Sequence, residues 1–288
     1  MAETNQAYAF GISEFTTWPW TFEEDVEHYA KLGVDTIEVC EFKLDAKRTD
    51  EQMRLIGGHG LAISSVQPAV RTLFPGRMKP DPKEPRERMA RFQDAIKRLS
   101  PFGTEIPFVT NTGKPPNGNM QQVFDVAAKE YRTVADFARD HGARVALEPL
   151  NPSTMNEESA IWSLQQALQI VEAVDRPNFG VCVDFWNLWQ TADVVETLAG
   201  CGDRTFVVQL ADWRTPRSFA DRIIVGQGDI PFAPLLRATQ TSGYRGPYVV
   251  EIFSQDVPDS LYDMGLDRLI KENQAGFQRA WREAFPNT

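Results

Sequence analysis

The sequence predicts an α/β protein that forms a single (β/α)8 barrel domain over residues 1–288. Short apolar runs alternate with amphipathic stretches eight times, and the chain is long enough for one such barrel. Many runs lack strict polar–apolar alternation, which is typical of parallel strands covered on both faces. The main alternative is a doubly wound open sheet. It is disfavoured because no G-x-G-x-x-G turn follows the first run.

The eight apolar runs are expected to form the strands of the barrel. In chain order they cover residues 9–15, 35–42, 61–68, 107–111, 144–150, 180–186, 205–213 and 248–253. The fourth run is short, and a long polar loop, TNTGKPPNGN, follows from its end. Because long loops after barrel strands often cover active sites, we expect this loop to be a lid.

The segments between the runs are expected to be helices. Thr21 and Glu24 have the spacing of a capping box at the start of the first helix, and Gly33 is suited to end it in a left-handed conformation. Apolar residues recur at helical spacing over residues 120–138 and again in a last helix over about 266–285.

Composition restricts the classes of partner. The chain carries a formal net charge of −10 with no basic block, which disfavours nucleic-acid binding. No apolar run approaches the roughly 20 residues of a membrane span, and the N-terminus lacks the pattern of a signal peptide. Cys40, Cys182 and Cys201 are too few and too scattered for a disulfide framework. We therefore expect a cytoplasmic protein that binds neither nucleic acid nor membranes.

Oxygen-bearing side chains interrupt the last four apolar runs. Glu148, Asp184, Gln209 and Glu251 each lie near the C-terminal end of a run, where barrel enzymes place catalytic groups. Burying three neighbouring carboxylates requires a compensating positive charge, and a divalent cation is the simplest one. Oxygen-only ligation favours Mn²⁺, with Mg²⁺, Co²⁺ or, less well, Zn²⁺ as alternatives. The other interpretation is that these side chains are ion-paired or solvent-facing strand ends without a metal.

The three histidines are interpreted as structural. His28 lies within the first predicted helix, whereas His59 and His141 precede glycines at turns that enter strands. Those turns belong to the end of the barrel opposite the expected site. This placement argues against histidine base catalysis and against a histidine-rich zinc site.

The order of several short motifs resembles the xylose isomerase-like TIM barrels, or sugar phosphate isomerase/epimerase superfamily. The motifs are LEP at 147–149, VDFW at 183–186, QLADW at 209–213, DR…GQGDI at 221–230 and GY…YVVEIF at 243–253. The resemblance implies a substrate-binding arginine, Arg222. It also implies a set of metal ligands, which are Glu148, Asp184, Gln209 and Glu251.

The sequence also departs from the pattern of these barrels. Asn187 stands where a histidine commonly follows the strand-six aspartate, and Gln209 stands where histidine is more usual. The ketose 3-epimerase branch usually carries a glutamate where this chain has Thr154. Asp212 matches an acid common after the strand-seven ligand, and we expect it to orient the metal ligands without binding the metal itself.

Three carboxylates around a cation suit proton transfer at a carbon next to a carbonyl. Glu148 and Glu251 are the predicted catalytic residues, one removing the proton and the other returning it to an enediolate. The predicted function is therefore a metal-dependent isomerase or epimerase of a sugar or keto-sugar. Loss of a β-leaving group would instead make a lyase, of the dehydratase or C-glycoside-cleaving type. A barrel that binds a polyol without turnover is a third hypothesis.

Aromatic residues near the strand ends are candidates for substrate contact. Trp186 and Trp213 are predicted to contact a sugar or cyclic polyol, although loop packing would explain them equally. Glu14, Glu38 and Glu41, on the first two strands, are interpreted as partners of Lys43 or Arg71 rather than as substrate contacts. Lys114 and Arg217 are further possible ligand contacts. The sequence leaves open whether the chain forms a homo-oligomer.

Overall fold

In the computed structural model, eight parallel strands close into a barrel in chain order. The structure describes residues 8–154, 156–215 and 221–286. Each strand pairs in parallel with the next, and the last pairs with the first. The strands are β1 (Phe10–Ser13), β2 (Thr36–Cys40), β3 (Ala62–Gln67), β4 (Pro107–Thr110), β5 (Arg144–Leu147), β6 (Phe179–Asp184), β7 (Thr205–Leu210) and β8 (Tyr248–Val250). The predicted barrel is confirmed, and every strand overlaps its predicted run.

The helices lie between the strands, as the amphipathic segments predict. Within the described residues they are α1 (Phe22–Lys31), α2 (Thr49–Gly58), α3 (Pro85–Leu99), α4 (Met120–Asp140), α5 (Leu164–Val174), α6 (Phe185–Leu188), α7 (Val194–Ala199), α8 (Phe232–Thr241) and α9 (Leu266–Ala284). The capping box of α1 is confirmed, because Thr21 Oγ1 accepts from Glu24 N and Glu24 Oε2 accepts from Thr21 N. None of these helices has the length and apolar character needed to cross a bilayer.

The core has two parts, separated by the wall of the barrel. Apolar faces of the helices, such as Tyr131 and Val134 of α4, pack against the outer face of the strands and are fully buried. A smaller cluster inside the barrel includes Val109, Ala146 and Val207. Since side chains alternate along a strand, the residue two positions beyond each of these faces the same interior, at its carboxyl end. This alternation directs polar side chains into the site.

The loop that was expected to be a lid has another role. Lys114 N donates to Pro75 O, and Phe74 N donates to Thr112 O, so the loop is fixed alongside the segment that follows β3. The central part of this loop lines a separate cavity with Pro75. Asn111 is the one residue of this loop that lines the cavity of about 320 Å³ at the carboxyl end of the barrel, called the main cavity below, so the lid prediction is wrong for this segment.

Candidate active site

Three buried carboxylates meet at the carboxyl end of the barrel. Glu148 directly follows β5, Asp184 is the last residue of β6, and Glu251 directly follows β8. One carboxylate oxygen of each lies within 4.8 Å of an oxygen of the other two. Glu148 lies two residues beyond Ala146, so the strand alternation that fills the barrel interior also sets its direction.

The acidic cluster adjoins a cavity of about 320 Å³. Glu148 and Glu251 form part of its wall, whereas Asp184 is fully buried behind it. The cavity has the size of a site for a small metabolite. Its other walls come from the segments that follow β3, β4, β5, β6, β7 and β8, and they include Arg71, Met78, Asn111, Glu158, Trp186, Asn187, Arg222 and Phe253.

Arg222 is the cation that contacts the acidic cluster. Its Nη2 lies 2.9 Å from Asp184 Oδ2, and its Nη1 lies 3.1 Å from Glu251 Oε2. The guanidinium is buried between the rings of Trp186 and Phe253, with its carbon 4.8 and 4.9 Å from their centroids. If all three carboxylates are ionised, the one arginine in contact with them among the described residues leaves two negative charges uncompensated.

The loop that carries Arg222 is organised by Asp212. The two carboxylate oxygens of Asp212 accept from the backbone nitrogens of Gly226, Gly228 and Ile230 at 2.9 to 3.0 Å. This explains the GQGDI motif, because a glycine at 228 lets the backbone approach the carboxylate closely. The expectation that Asp212 supports the metal ligands is wrong, since it instead shapes the loop after β7.

Two asparagine amides hold the carboxylates in place. Asn187 Nδ2 donates to Glu148 Oε1 at 2.9 Å and to Asp184 Oδ2 at 2.7 Å. Asn111 Nδ2 donates to the other oxygen, Glu148 Oε2, at 2.9 Å. Sequence reasoning treated Asn187 only as a departure and missed Asn111. The position of Asn111, two residues beyond the interior Val109, is the signal that would have found it.

Gln209 lies next to the cluster as a hydrogen-bond donor. Its Nε2 donates to both oxygens of Glu38 at 3.0 and 3.1 Å and to Glu251 Oε1 at 3.1 Å, whereas its Oε1 accepts from Cys182 Sγ. Metal ligation by Gln209 would require rotation of its amide by about half a turn. The structure thus brings three of the four predicted ligands together through oxygen, and ligation by Gln209 stays a prediction.

Burial controls the protonation of the cluster. Burial and the neighbouring Asp184 carboxylate raise the pKa of Glu148 to about 7. Burial also raises the pKa of Glu251 well above its usual range, although Arg222 opposes this change. Acids that retain protons because they lack a counter-charge are expected where a cation belongs. The donor set and its charge deficit therefore fit a divalent cation.

The two predicted tryptophan contacts differ in position. Trp186 lines the cavity, and its Nε1 donates to Asp221 O at 3.2 Å. Trp213 instead packs against Trp189, with ring centroids 5.4 Å apart, and is absent from the described wall of the cavity. Lys114 lines the separate cavity near Pro75, and Arg217 lies outside the described residues.

The predicted ion pairs of the acids on β1 and β2 with Lys43 or Arg71 are not formed, and Glu41 instead pairs with Arg98. Lys43 Nζ lies 2.6 Å from Asp25 Oδ2, and it also donates to Thr17 O. Glu38 accepts from Ser65 Oγ at 2.6 Å, besides its contacts with Gln209. Residue spacing in the sequence could not show that Lys43 forms an ion pair with Asp25, a residue of α1.

The histidines lie away from the cavity, with His28 in α1 and His59 and His141 directly after α2 and α4. His28 Nδ1 is 2.6 Å from Asp267 Oδ1. In His59 and His141 the same ring nitrogen lies 2.9 Å from a backbone oxygen four residues earlier. These contacts support the structural interpretation of the histidines.

An eight-stranded parallel barrel with an acidic site at the carboxyl ends of its strands defines the class of this protein. The chain belongs to the xylose isomerase-like TIM barrel family, since the model of that family matches residues 26–278. The resemblance found in the motifs is thereby confirmed.

Two curated relatives and one solved structure are similar to this chain. A 3-dehydroshikimate dehydratase of Pseudomonas putida is 28% identical over 249 residues, which are 81% of this chain but only 36% of the relative. An inosose isomerase of Halalkalibacterium halodurans is 24% identical and covers 86% of this chain and 87% of its own. The crystal structure of the IOLI protein with a bound zinc atom superposes with a TM-score of 0.79 at 20% identity, over 96% and 99% of the two chains.

Proposed function

We propose that this chain is a divalent-metal-dependent isomerase or epimerase of a sugar or keto-sugar. The observation that carries the proposal is the uncompensated charge of Glu148, Asp184 and Glu251 beside a cavity of metabolite size. These residues would hold the metal, with Gln209 as a fourth ligand after rotation of its amide. We propose Mn²⁺ as the metal, with Mg²⁺ or Co²⁺ as alternatives, because the available donors are oxygens.

Glu148 and Glu251 are the proposed catalytic residues. They follow β5 and β8, on either side of the β6 residue Asp184, so they approach the cavity from different directions. One would remove the proton next to the substrate carbonyl, and the other would return a proton to the enediolate. The bound cation would supply Lewis-acid polarisation of that carbonyl.

The neighbouring residues prepare these two glutamates. Asn111 and Asn187 donate to opposite oxygens of Glu148, which fixes the carboxylate plane. The guanidinium of Arg222 contacts both the carboxylate and the backbone oxygen of Glu251. Trp186 offers an aromatic surface in the cavity wall for a sugar or cyclic polyol.

A lyase is the second candidate. The alignment with the 3-dehydroshikimate dehydratase covers most of this chain, which favours this alternative. The same proton removal would then be followed by departure of a group from the neighbouring carbon. The lyase reaction differs from isomerisation or epimerisation in that a group leaves this carbon, whereas in the other two reactions a proton is returned to the substrate.

Two further expectations about the protein remain proposals. The three buried cysteines are free, which supports a reducing, cytoplasmic compartment. Assembly into a homo-oligomer is compatible with a small-molecule site that lies within one barrel.

Product analysis in deuterated water tests the proposal. The Mn²⁺-loaded chain is incubated with a panel of ketoses and cyclic keto-polyols, and products are analysed by NMR and mass spectrometry. Solvent deuterium in a product of unchanged formula supports an isomerase or epimerase, whereas loss of water or an aglycone supports a lyase. A chelator-treated sample is the control. Absence of both Mn²⁺ binding and turnover would contradict the proposal and favour a non-catalytic barrel.

A further inference from the structure

Arg71 is a half-buried cation in the cavity wall. It lines the main cavity and an adjoining cavity of about 160 Å³, and its guanidinium carbon lies 5.6 Å from the ring centroid of Phe15. Its backbone oxygen accepts from Thr110 Oγ1 at 2.6 Å and from Asn111 N at 3.1 Å, so the main chain is fixed to the end of β4. Within the described residues, its guanidinium forms no direct ion pair and no hydrogen bond, although Glu148 lies close enough to interact with it electrostatically.

The neighbouring arginines differ from Arg71 because each has partners. Arg222 contacts Asp184 and Glu251, as described above. Arg77 is exposed and lies 3.5 Å from Glu157. Arg88 is fully buried and donates to Thr72 O at 2.6 Å and to Pro82 O at 2.7 Å.

The acids in the cavity wall form no ion pair with the guanidinium of Arg71. Glu158 Oε1 accepts from Met78 N at 2.6 Å, and Asp256 is exposed to solvent at the edge. If the proposed function is correct, a bound dication and Arg222 balance the three carboxylates of the cluster. Arg71 then contributes a positive charge to the cavity wall whose guanidinium no described side chain contacts through an ion pair or a hydrogen bond, so a ligand in the cavity can make that contact. An arginine at the wall of a substrate cavity is suited to a carboxylate, whose two oxygens match the guanidinium fork.

We infer that Arg71 binds an anionic group of the substrate, and that this group is a carboxylate. The substrate class is thereby narrowed to hydroxylated keto compounds that carry a carboxylate. A phosphate dianion is the weaker fit, because the described wall offers it a single unpaired guanidinium. This inference rests on the proposed function, since it assumes that the substrate occupies the main cavity.

Calorimetric titration of the Mn²⁺-saturated chain tests the inference with three defined probes. Shikimate is a cyclic polyol carboxylate without a hydroxyl on the carbon next to its carboxylate, which limits direct chelation of the metal. The other probes are uncharged myo-inositol and myo-inositol 1-phosphate. Each is titrated into the unsubstituted chain, into Arg71→Gln, and into Lys79→Gln. The last variant is the matched control, because Lys79 is an exposed cation in the wall of the adjoining cavity.

We expect shikimate to bind more tightly than myo-inositol, and Arg71→Gln to weaken shikimate binding about 10- to 100-fold while leaving myo-inositol unaffected. Lys79→Gln should have little effect. Tighter binding of the phosphate, with the same dependence on Arg71, would support an anion subsite and overturn the carboxylate assignment. Equal binding of all probes, equal effects of the two substitutions, or no anion binding up to about 10 mM would overturn the inference.

Titration of Mn²⁺ into the same samples separates the inference from the proposed function. Normal Mn²⁺ binding without anion preference would contradict the role of Arg71 alone. Absence of Mn²⁺ binding, with an anion preference that still depends on Arg71, would contradict the proposed metal chemistry and retain the anion subsite.

Discussion

Two groups of buried acids lie at the carboxyl end of this barrel, and they are neutralised differently. The site cluster contains Glu148, Asp184 and Glu251, and among the described residues Arg222 is the cation in direct contact with it. The β1 cluster consists of Glu14 at the end of β1, with Asp25 of α1 and the cation Lys43. Lys43 leaves one negative charge in the β1 cluster, and one proton would compensate it. Burial and the Asp25 carboxylate raise the pKa of Glu14 well above its usual range, which favours that proton.

The comparison shows that buried acids alone do not identify a site. Both clusters contain carboxylates with a raised pKa, and both contain a cation held at short distance. Only the site cluster adjoins the main cavity, and only it lacks two positive charges within the described residues. Buried carboxylates that lack positive charge beside a cavity therefore indicate a site that binds a ligand. Buried carboxylates whose excess negative charge one proton can remove indicate a structural role.

Substitution of the site glutamates should give the largest effect. We expect Glu148→Gln and Glu251→Gln each to lower kcat about 10²- to 10⁴-fold, because each removes a proton-transfer group and a metal ligand. Glutamine preserves the volume of the side chain, so the fold should persist. The measurement is steady-state turnover with the substrate found by the deuterium screen, together with Mn²⁺ titration.

Glu14→Gln is the matched control for these substitutions in the β1 cluster. It should leave kcat and Mn²⁺ affinity unchanged, because Glu14 contacts neither the cavity nor the site carboxylates. A large loss of turnover in Glu14→Gln would show that the two clusters act together, and the distinction between them would be abandoned.

Substitution of the two cationic side chains, one in each cluster, should give the second-largest effect, which is a loss of folding stability. Arg222→Met and Lys43→Met each leave buried carboxylates without a partner, which costs about 3–5 kcal/mol of unfolding free energy. The variants should differ when Mn²⁺ is added. A dication can replace the charge of Arg222 in the site cluster, which adjoins the main cavity, whereas neither Asp25 nor Glu14 lines that cavity. Urea unfolding with and without Mn²⁺ measures both effects, and equal rescue of both variants would contradict the comparison.

The pH dependence of metal stabilisation is a smaller test. Without an ion, the folded chain retains the Glu148 proton up to a pKa of about 7, whereas the unfolded chain releases it near the ordinary value. The folded state then binds more protons, so this group destabilises the metal-free protein as pH rises through this window. Mn²⁺ competes with those protons, and we expect it to raise Tm more at about pH 8 than at about pH 5.

A control for this prediction is again Glu14→Gln. Its Mn²⁺-dependent shift in Tm should have the same pH dependence as that of the unsubstituted chain, because the β1 cluster does not bind the metal. A shift of equal size at both pH values would mean that Mn²⁺ binds outside the site carboxylates.

The sequence predicts those parts of the site that strand geometry determines. Glu148, Asp184 and Glu251 end strands whose apolar pattern is unambiguous, so their convergence follows from the barrel. The conformation of a loop does not follow from the alternation of side chains along a strand. The pairing of Lys43 with Asp25, and the free guanidinium of Arg71, depend on how separate loops and helices pack. The spacing of residues along the sequence does not determine those distances.

Trp213 marks the limit of such reasoning and gives the smallest expected effect. It follows its strand end as Trp186 does, yet Trp186 lines the cavity beside Arg222 whereas Trp213 packs on Trp189. We expect Trp186→Leu to raise KM about tenfold, since it removes both a wall of the cavity and the ring against Arg222. Trp213→Leu should leave KM nearly unchanged and lower Tm slightly through lost packing. If Trp213→Leu instead raised KM as much as Trp186→Leu, the substrate would extend past the described wall, and the sequence-based prediction for Trp213 would be correct.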